Sequence, residues 1–141
     1  YLECFDKKHK VMLTFIDMDG LKFINDNYGH NEGDFAIQRL SGVIKESAMN
    51  GICARFGGDE FVVFTSDVVN GDDEAFKRRF NSKIDNINNI IKKPYTLSAS
   101  IGSIIVTADE NITLYNIITQ ADEKMYEVKK QRKNSRLASE K

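Results

Sequence analysis

Residues Arg55 to Phe64 read Arg-Phe-Gly-Gly-Asp-Glu-Phe-Val-Val-Phe, which places two glycines and two carboxylates between runs of strand-forming residues. This order predicts a β-hairpin whose turn contains Gly57 and Gly58. Glycine adopts a positive φ without steric cost, so we expect the turn to use it there. The absence of Cβ atoms also lets a ligand approach the main chain, where backbone N–H groups can face an anion. Asp59 and Glu60 add negative charge, which favours a phosphate that carries a divalent cation.

A second acidic segment upstream raises the odds of such a site over an ordinary acidic turn. Asp17 and Asp19 close the apolar run from Val11 to Ile16, a run that predicts a buried strand ending where the sheet meets solvent. If this strand pairs beside the hairpin, Asp17 and Asp59 can share a cation, because Mg²⁺ needs only one or two carboxylates besides water and substrate phosphates. Asp19 has an alternative role, since a residue at that point can instead cap the following helix.

The composition limits the class of protein without naming its function. The chain has 141 residues and is 41% hydrophobic, which indicates one domain with a core of its own. Its 20 Lys and Arg face 21 Asp and Glu, so there is no broad basic field for nucleic acid. Cys4 and Cys53 lack metal-ligand spacing and predict no disulfide framework, which favours a reducing cytosol. No apolar stretch is long enough to span a membrane, and the first residues show no signal-peptide pattern.

Hydrophobic periodicity predicts the order strand, helices, hairpin, helix, strand, helix. We expect the first helix to end near Tyr28, the segment from Gly29 to Gly33 to break it, and the next helix to start near Asp34. Pro94 stops a later helix, and Leu97 opens the alternating strand that follows. The apolar stripe of that later helix consists of Phe76, Phe80, Ile84, Ile87 and Ile91.

A series of segments, in order along the chain, resembles the GGDEF domain, the catalytic module of diguanylate cyclases. The matching segments are Asp17 to His30, Gly33-Asp34, Arg55 to Phe61, Ser100-Ile-Gly102, and Ala121-Asp122 with Tyr126 and Lys129. Such a series is far more specific than any one motif. The resemblance implies a domain over residues 1–134 and a polar C-terminal tail over 135–141, which we expect to be mobile, although the resemblance also allows a short terminal strand there. It also implies an α/β (α+β) fold with a central, mostly antiparallel sheet flanked by helices, similar to the palm of nucleotide cyclases and polymerases.

The same resemblance implies the activity. A diguanylate cyclase condenses two GTP molecules into cyclic di-GMP and two pyrophosphates, and it works as a homodimer in which each copy holds one GTP. The implied cofactors are Mg²⁺ or Mn²⁺, two per active site, held by Asp17, Asp59 and the carbonyl oxygen of Met18. Asp59 and Glu60 are the implied catalytic residues, and which of them acts as the base is left open.

Seven substrate-binding residues follow from the resemblance as well. The carboxylate of Asp34 can accept from N1–H and the 2-amino group of guanine together, a donor pair that adenine lacks, and the amide of Asn25 can read N3 or the amino group. A site built on such polar contacts rejects the wrong base strongly. The other five are Lys22, Lys129 and Lys133 for the phosphates, and Gly57 and Gly58 beside the nucleotide.

The chain departs from the family pattern at three places. The usual Gly-Arg-Asn appears as Arg132-Lys133-Asn134, and lysine keeps the charge but loses the planar bidentate fork. The Arg-x-x-Asp motif of product inhibition falls on the segment from Ala48 to Gly51, where both charged residues are absent. The chain opens at Tyr1, just beyond the family's usual first helix. We therefore expect a cytoplasmic domain excised from a longer protein, with an N-terminal sensory or regulatory domain, whether or not that protein is membrane-anchored.

Two other functions remain open at the level of the sequence. One is a catalytically silent module that binds GTP or docks on a partner, and the other is an enzyme that makes an adenine-containing or hybrid dinucleotide. The acidic residues Asp17, Asp59 and Glu60 argue against the first alternative, and Asp34 argues against the second.

Overall fold

The computed structural model describes residues 9–109 and 111–139, with side chains described as far as residue 134. Four strands form one antiparallel sheet in the order β2-β3-β1-β4. The predicted α+β class and element order are confirmed. The elements are β1 (Lys10–Met18), α1 (Leu21–Tyr28), α2 (His30–Ala48), β2 (Ile52–Arg55), β3 (Glu60–Ser66), α3 (Asp72–Ile91), β4 (Ala99–Thr107) and α4 (Leu114–Ser139).

Strand β1 lies at the centre of the fold and is buried on both faces. Its even-numbered apolar residues share one core with α1, α2 and α3, whereas its odd-numbered apolar residues share a second core with α4. Because side chains alternate along a strand, Asp17 lies on the α4 side of the sheet. The same alternation places Gly102 of β4 on that side, so close to α4 that a Cβ atom there would lie 2.2 Å from the backbone nitrogen of Met125.

The connection between α1 and α2 is shorter than the sequence predicts. Only Gly29, with φ of 92°, separates the two helices, and α2 begins at His30. The expected break as far as Gly33 and the helix start near Asp34 are therefore wrong, because one glycine in a conformation that other residues rarely adopt is enough to end a helix. Helix α1 has Gly20 as its N-cap and no side-chain cap, so Asp19 does not cap it.

Two further boundaries differ from the expectation. Strand β4 begins at Ala99 and not at Leu97, because the backbone N–H and C=O of Leu97 bond to the side chain of Asn88 at 2.8 and 2.9 Å. Helix α4 continues to Ser139, so the expected mobile tail over 135–141 is helical in its backbone as far as residue 139. No glycine or proline interrupts α4, which explains its length. Within the described residues, α4 and the other helices lack the long apolar stretch that crossing a membrane requires.

Candidate active site

Three carboxylates converge at the end of β1. Asp17 pairs in register with Glu60, the first residue of β3. The backbone N–H of Met18 donates to the carbonyl of Asp59 at 2.9 Å, which holds the hairpin turn beside the strand. One oxygen from each of Asp17, Asp59 and Glu60 lies within 4.8 Å of the others. The fold thus brings together carboxylates that the sequence places in two distant segments.

Asp17 is the buried member of this cluster, with 8% of its surface exposed. Burial raises the pKa of Asp17 from 3.8 to about 6, against the lowering effect of Lys129, and the nearby Asp59 raises it further. Lys129 on α4 donates to Oδ2 of Asp17 at 3.0 Å. Oδ1 is buried and has no hydrogen-bond partner in the described part of the chain. A buried oxygen without a donor, beside two more carboxylates, suits a cation ligand.

Asp19 lies outside the cluster and has a different environment. Its carboxylate accepts hydrogen bonds from Ser100 at 2.8 Å and Ser98 at 3.0 Å. Arg132 of α4 donates to the same carboxylate at 2.9 Å and to the carbonyl of Ala99 at 2.6 Å. Asp19 therefore joins the end of β1 to β4 and α4. The sequence analysis missed this role of Arg132, although its presence at the family's usual glycine position was a signal that could have been followed.

The turn at Gly57 and Gly58 is built differently from the expectation. Neither glycine has a positive φ, so that prediction is wrong. Four residues connect β2 to β3, and a connection of this length does not require the left-handed conformations of a two-residue turn. The guanidinium of Arg55 fixes the turn by donating to the carbonyls of Gly57 at 3.0 Å and Gly58 at 2.6 Å. A Cβ on Gly58 would meet nothing within 4 Å, so the main chain there is open to a ligand.

Asn25 and Asp34, the predicted guanine-binding residues, both lie near the junction of α1 and α2. The helices approach so closely that a Cβ on Gly33 would lie 1.8 Å from Oδ1 of Asn25. That oxygen is buried and lacks a hydrogen-bond partner among the described residues. The side chain of Asp34 is exposed in the first turns of α2. The fold thus places the two residues on facing helices, and their binding role stays a prediction.

The predicted phosphate-binding lysines occupy different positions. Lys129 and Lys133 line a cleft of about 540 Å³ together with Asp19 and Phe23. Lys22 is exposed on α1. A larger cleft, of about 840 Å³, lies among α3, β4 and α4 and contains none of the predicted site residues. The smaller cleft is therefore the one that adjoins the acidic end of β1.

The chain is similar in sequence to one part of several longer proteins. Its sequence matches the family described as diguanylate cyclase, GGDEF domain, over residues 2–135. It is 32% identical over 129 residues to diguanylate cyclase DgcP of Escherichia coli, covering 90% of this chain and 38% of DgcP. It is 39% identical over 127 residues to the probable diguanylate cyclase DgcJ of the same organism, covering 89% and 24%. The chain thus spans well under half the length of these curated relatives.

Solved structures show the same fold. The GGDEF domain of DgcB from Caulobacter crescentus, in complex with c-di-GMP, aligns with a TM-score of 0.81 at 20% identity, covering 92% of this chain and 78% of that one. The active GGEEF domain of a diguanylate cyclase from Vibrio cholerae aligns with a TM-score of 0.73 at 19% identity, covering 89% and 80%. Because the family match extends over nearly the whole sequence, this chain belongs to the diguanylate cyclase GGDEF domain family.

Proposed function

We propose that this chain is the catalytic domain of a diguanylate cyclase, which condenses two GTP molecules into cyclic di-GMP and two pyrophosphates. The observation that carries this proposal is the group of three carboxylates, Asp17, Asp59 and Glu60, beside the ammonium of Lys129. The family match and the names of the curated relatives support it. As the resemblance to the family implies, the proposed working form is a homodimer with one GTP in each copy.

The carboxylate cluster fits a divalent cation. Asp17 offers a buried oxygen that has no donor among the described residues, and Asp59 offers a second carboxylate within reach. With the carbonyl of Met18, these residues would hold Mg²⁺ or Mn²⁺, at two ions per active site. Such ions, when bound, neutralise phosphate charge and make the attacking hydroxyl more acidic.

The chain's own carboxylates take the proton in each condensation. The 3′-hydroxyl of one GTP loses its proton to Asp59 or Glu60, which lie together on the turn and at the start of β3. The oxygen then bonds to the α-phosphorus of the other GTP, and the bond to pyrophosphate breaks. Two such steps, one in each direction across the dimer, close the ring of cyclic di-GMP.

The lysines hold the triphosphate. The ammonium of Lys129 lies 3.0 Å from Oδ2 of Asp17, beside the carboxylate cluster, where it would contact a phosphate oxygen of the bound nucleotide. Arg132 keeps α4 against the sheet through Asp19. The remaining triphosphate contacts are those of Lys133 and Lys22.

The α1–α2 junction selects the base. Asp34 accepts from N1–H and the 2-amino group of guanine, and the amide of Asn25 reads N3 or the amino group beside it. The open main chain at Gly58, with Gly57 before it, leaves room for the nucleotide to lie against the turn. GTP is therefore preferred over ATP.

The proposed partners follow from the length of the relatives and from the charge of the chain. The relatives are more than twice as long as the matched region, which supports an N-terminal sensory or regulatory domain in the full-length protein. The near balance of 20 basic and 21 acidic residues argues for no contact with nucleic acid or membrane by this domain. We place the domain in the cytoplasm, where GTP is available.

Product analysis tests the proposal directly. Two copies are brought together by a dimeric fusion partner, incubated with Mg²⁺ and either GTP or ATP, and the products are separated by chromatography. Cyclic di-GMP from GTP alone is the expected result. Binding of GTP without any dinucleotide product would instead favour the silent module, and an adenine-containing product would overturn the assignment of Asp34.

A further inference from the structure

Glu32 holds the first turn of α2 to a distant loop. Its carboxylate accepts from the hydroxyl of Tyr95 at 2.5 Å and from the ammonium of Lys93 at 2.9 Å. Both donors are more than sixty residues away in the sequence. Glu32 stands only two positions before Asp34, so a contact that fixes one fixes the backbone that presents the other.

The loop that supplies these donors is anchored by hydrogen bonds at the residues that follow Tyr95. Leu97, two residues after Tyr95, exchanges two hydrogen bonds with the side chain of Asn88 on α3. Ser98 donates to Asp19 at the end of β1. Tyr95 is 9% exposed, and the centroid of its ring lies 5.5 Å from that of Tyr28 on α1. The loop therefore offers a fixed support to both helices of the junction.

The two helices of the junction pack closely at the first turn of α2, because Oδ1 of Asn25 lies 1.8 Å from the position that a Cβ on Gly33 would occupy. A small displacement of this turn would change the spacing between Asn25 and Asp34, which stand on different helices. The binding of guanine by both side chains depends on that spacing, because a hydrogen bond weakens steeply outside a narrow range of distance and angle.

We infer that Glu32, Tyr95 and Lys93 form a positioning clamp that sets the guanine selectivity of the α1–α2 junction. The inference rests on the proposed function, since it takes Asn25 and Asp34 as the base-binding residues. The clamp residues need not touch the nucleotide. They act by holding the turn that carries Asp34 at its spacing from Asn25.

The ionisation states of Glu32 and Tyr95 at neutral pH favour the contact between them. The hydrogen bond from Tyr95, followed by that from Lys93, holds the pKa of Glu32 below its ordinary value. Burial and the adjacent Glu32 raise the pKa of Tyr95. At neutral pH the pair is thus an ionised carboxylate and a protonated phenol, an arrangement that gives short and strong hydrogen bonds.

The test is a comparison of nucleotide selectivity in three variants. Dissociation constants for non-hydrolysable GTP and ATP analogues are measured by calorimetry, in the presence of Mg²⁺, for the wild type, Tyr95→Phe and Lys93→Gln. Tyr115→Phe is the matched control, because it removes a hydroxyl from an exposed tyrosine at the start of α4. If the shifted turn loses the equivalent of one hydrogen bond between Asp34 and guanine, the GTP preference should fall by roughly tenfold for Tyr95→Phe. A smaller fall is expected for Lys93→Gln, and none for the control.

The pattern of the loss separates positioning from general stability. Weaker binding of the GTP analogue with unchanged binding of the ATP analogue supports the clamp. A clamp variant that keeps the wild-type ratio, in a protein whose wild type prefers GTP, overturns the inference and leaves the proposed function intact. If Tyr95→Phe does not fold, Lys93→Gln decides, because it removes a partly exposed donor to the same carboxylate. A wild type that binds both analogues equally contradicts the proposed function and the clamp's role with it.

Discussion

Replacing Asp17 by asparagine should stabilise the metal-free fold while removing activity. The pKa of Asp17 rises from 3.8 to about 6, chiefly because the carboxyl is buried, so the charged form is held at a cost. A rise of about two units corresponds to about 3 kcal/mol at about 1.4 kcal/mol per unit. Asparagine has the shape of the neutral carboxyl and avoids that cost. We therefore expect the free energy of unfolding to increase by about 1–3 kcal/mol at neutral pH.

The pH dependence of this gain has a definite sign. A group whose pKa is raised on folding binds its proton more tightly in the folded state, so the wild type loses stability as the pH rises from 3.8 towards about 6. The gain in unfolding free energy from Asp17→Asn should be complete above a pH of about 6 and absent below pH 3.8. At roughly 4 °C per kcal/mol for a domain of this size, the unfolding midpoint should rise by about 4–12 °C at pH 7.5.

Thermal unfolding in EDTA, at pH 7.5 and again below pH 4, measures both quantities. Asp19→Asn is the matched control, because that carboxylate accepts from two serines and from Arg132, and neutralising it should cost about 1–3 kcal/mol. Two aspartates two residues apart should thus respond with opposite signs. The reasoning is refuted if Asp17→Asn unfolds below the wild type at pH 7.5, or if its gain is the same at both pH values.

Three further predictions concern the fold and its regulation. Gly102→Ala should lower the free energy of unfolding by about 3 kcal/mol or more, because its Cβ would lie 2.2 Å from the backbone of α4. Gly42→Ala should raise it by about 0.5–1 kcal/mol, because Gly42 is an exposed residue of α2 whose Cβ would meet nothing within 4 Å. Urea unfolding of both variants checks this. Glu32→Gln should lower the unfolding midpoint at neutral pH. The hydrogen bond from Tyr95, followed by that from Lys93, lowers the pKa of Glu32 below its ordinary value of 4.5, so the carboxylate's contribution to stability is lost as it protonates. A pH series should therefore show the difference in midpoint between variant and wild type shrinking below pH 4.5. Initial rates of an active dimer should stay flat in micromolar cyclic di-GMP, because the segment ending at Gly51 lacks the Arg-x-x-Asp pair; strong inhibition that excess GTP cannot relieve would contradict this.

The convergence of Asp17 with the hairpin carboxylates could be predicted from sequence because each step rests on a strong local rule. An apolar run predicts a buried strand, and its end meets solvent beside its neighbours. The partner of Asp19 could not be predicted in this way, because Arg132 is more than a hundred residues away and the contact depends on how α4 lies across the sheet. The sequence offered a helix cap as the alternative role of Asp19, but the structure has Gly20 at the N-cap position of α1.

Errors at boundaries have equally local causes. A cluster containing two glycines predicts a long break, yet Gly29 alone makes the turn while Gly33 lies within α2, where it admits the side chain of Asn25. The two glycines of the hairpin turn suggest positive φ, but a four-residue connection does not need it. Gly33 thus serves the close approach of two helices, whereas Gly29 serves backbone conformation, and a single sequence does not distinguish the two uses.

The central claim is that the carboxylate cluster at the end of β1 catalyses the condensation of GTP. The most direct measurement is the rate of pyrophosphate release at saturating GTP and Mg²⁺, with wild type and Asp59→Ala each fused to the same dimeric partner. Asp59 lies on a turn outside both hydrophobic cores, so its truncation should leave the unfolding midpoint nearly unchanged. We predict that the wild type releases two pyrophosphates for each cyclic di-GMP formed and that Asp59→Ala releases none above background. A folded Asp59→Ala dimer that keeps a rate near that of the wild type would contradict the account.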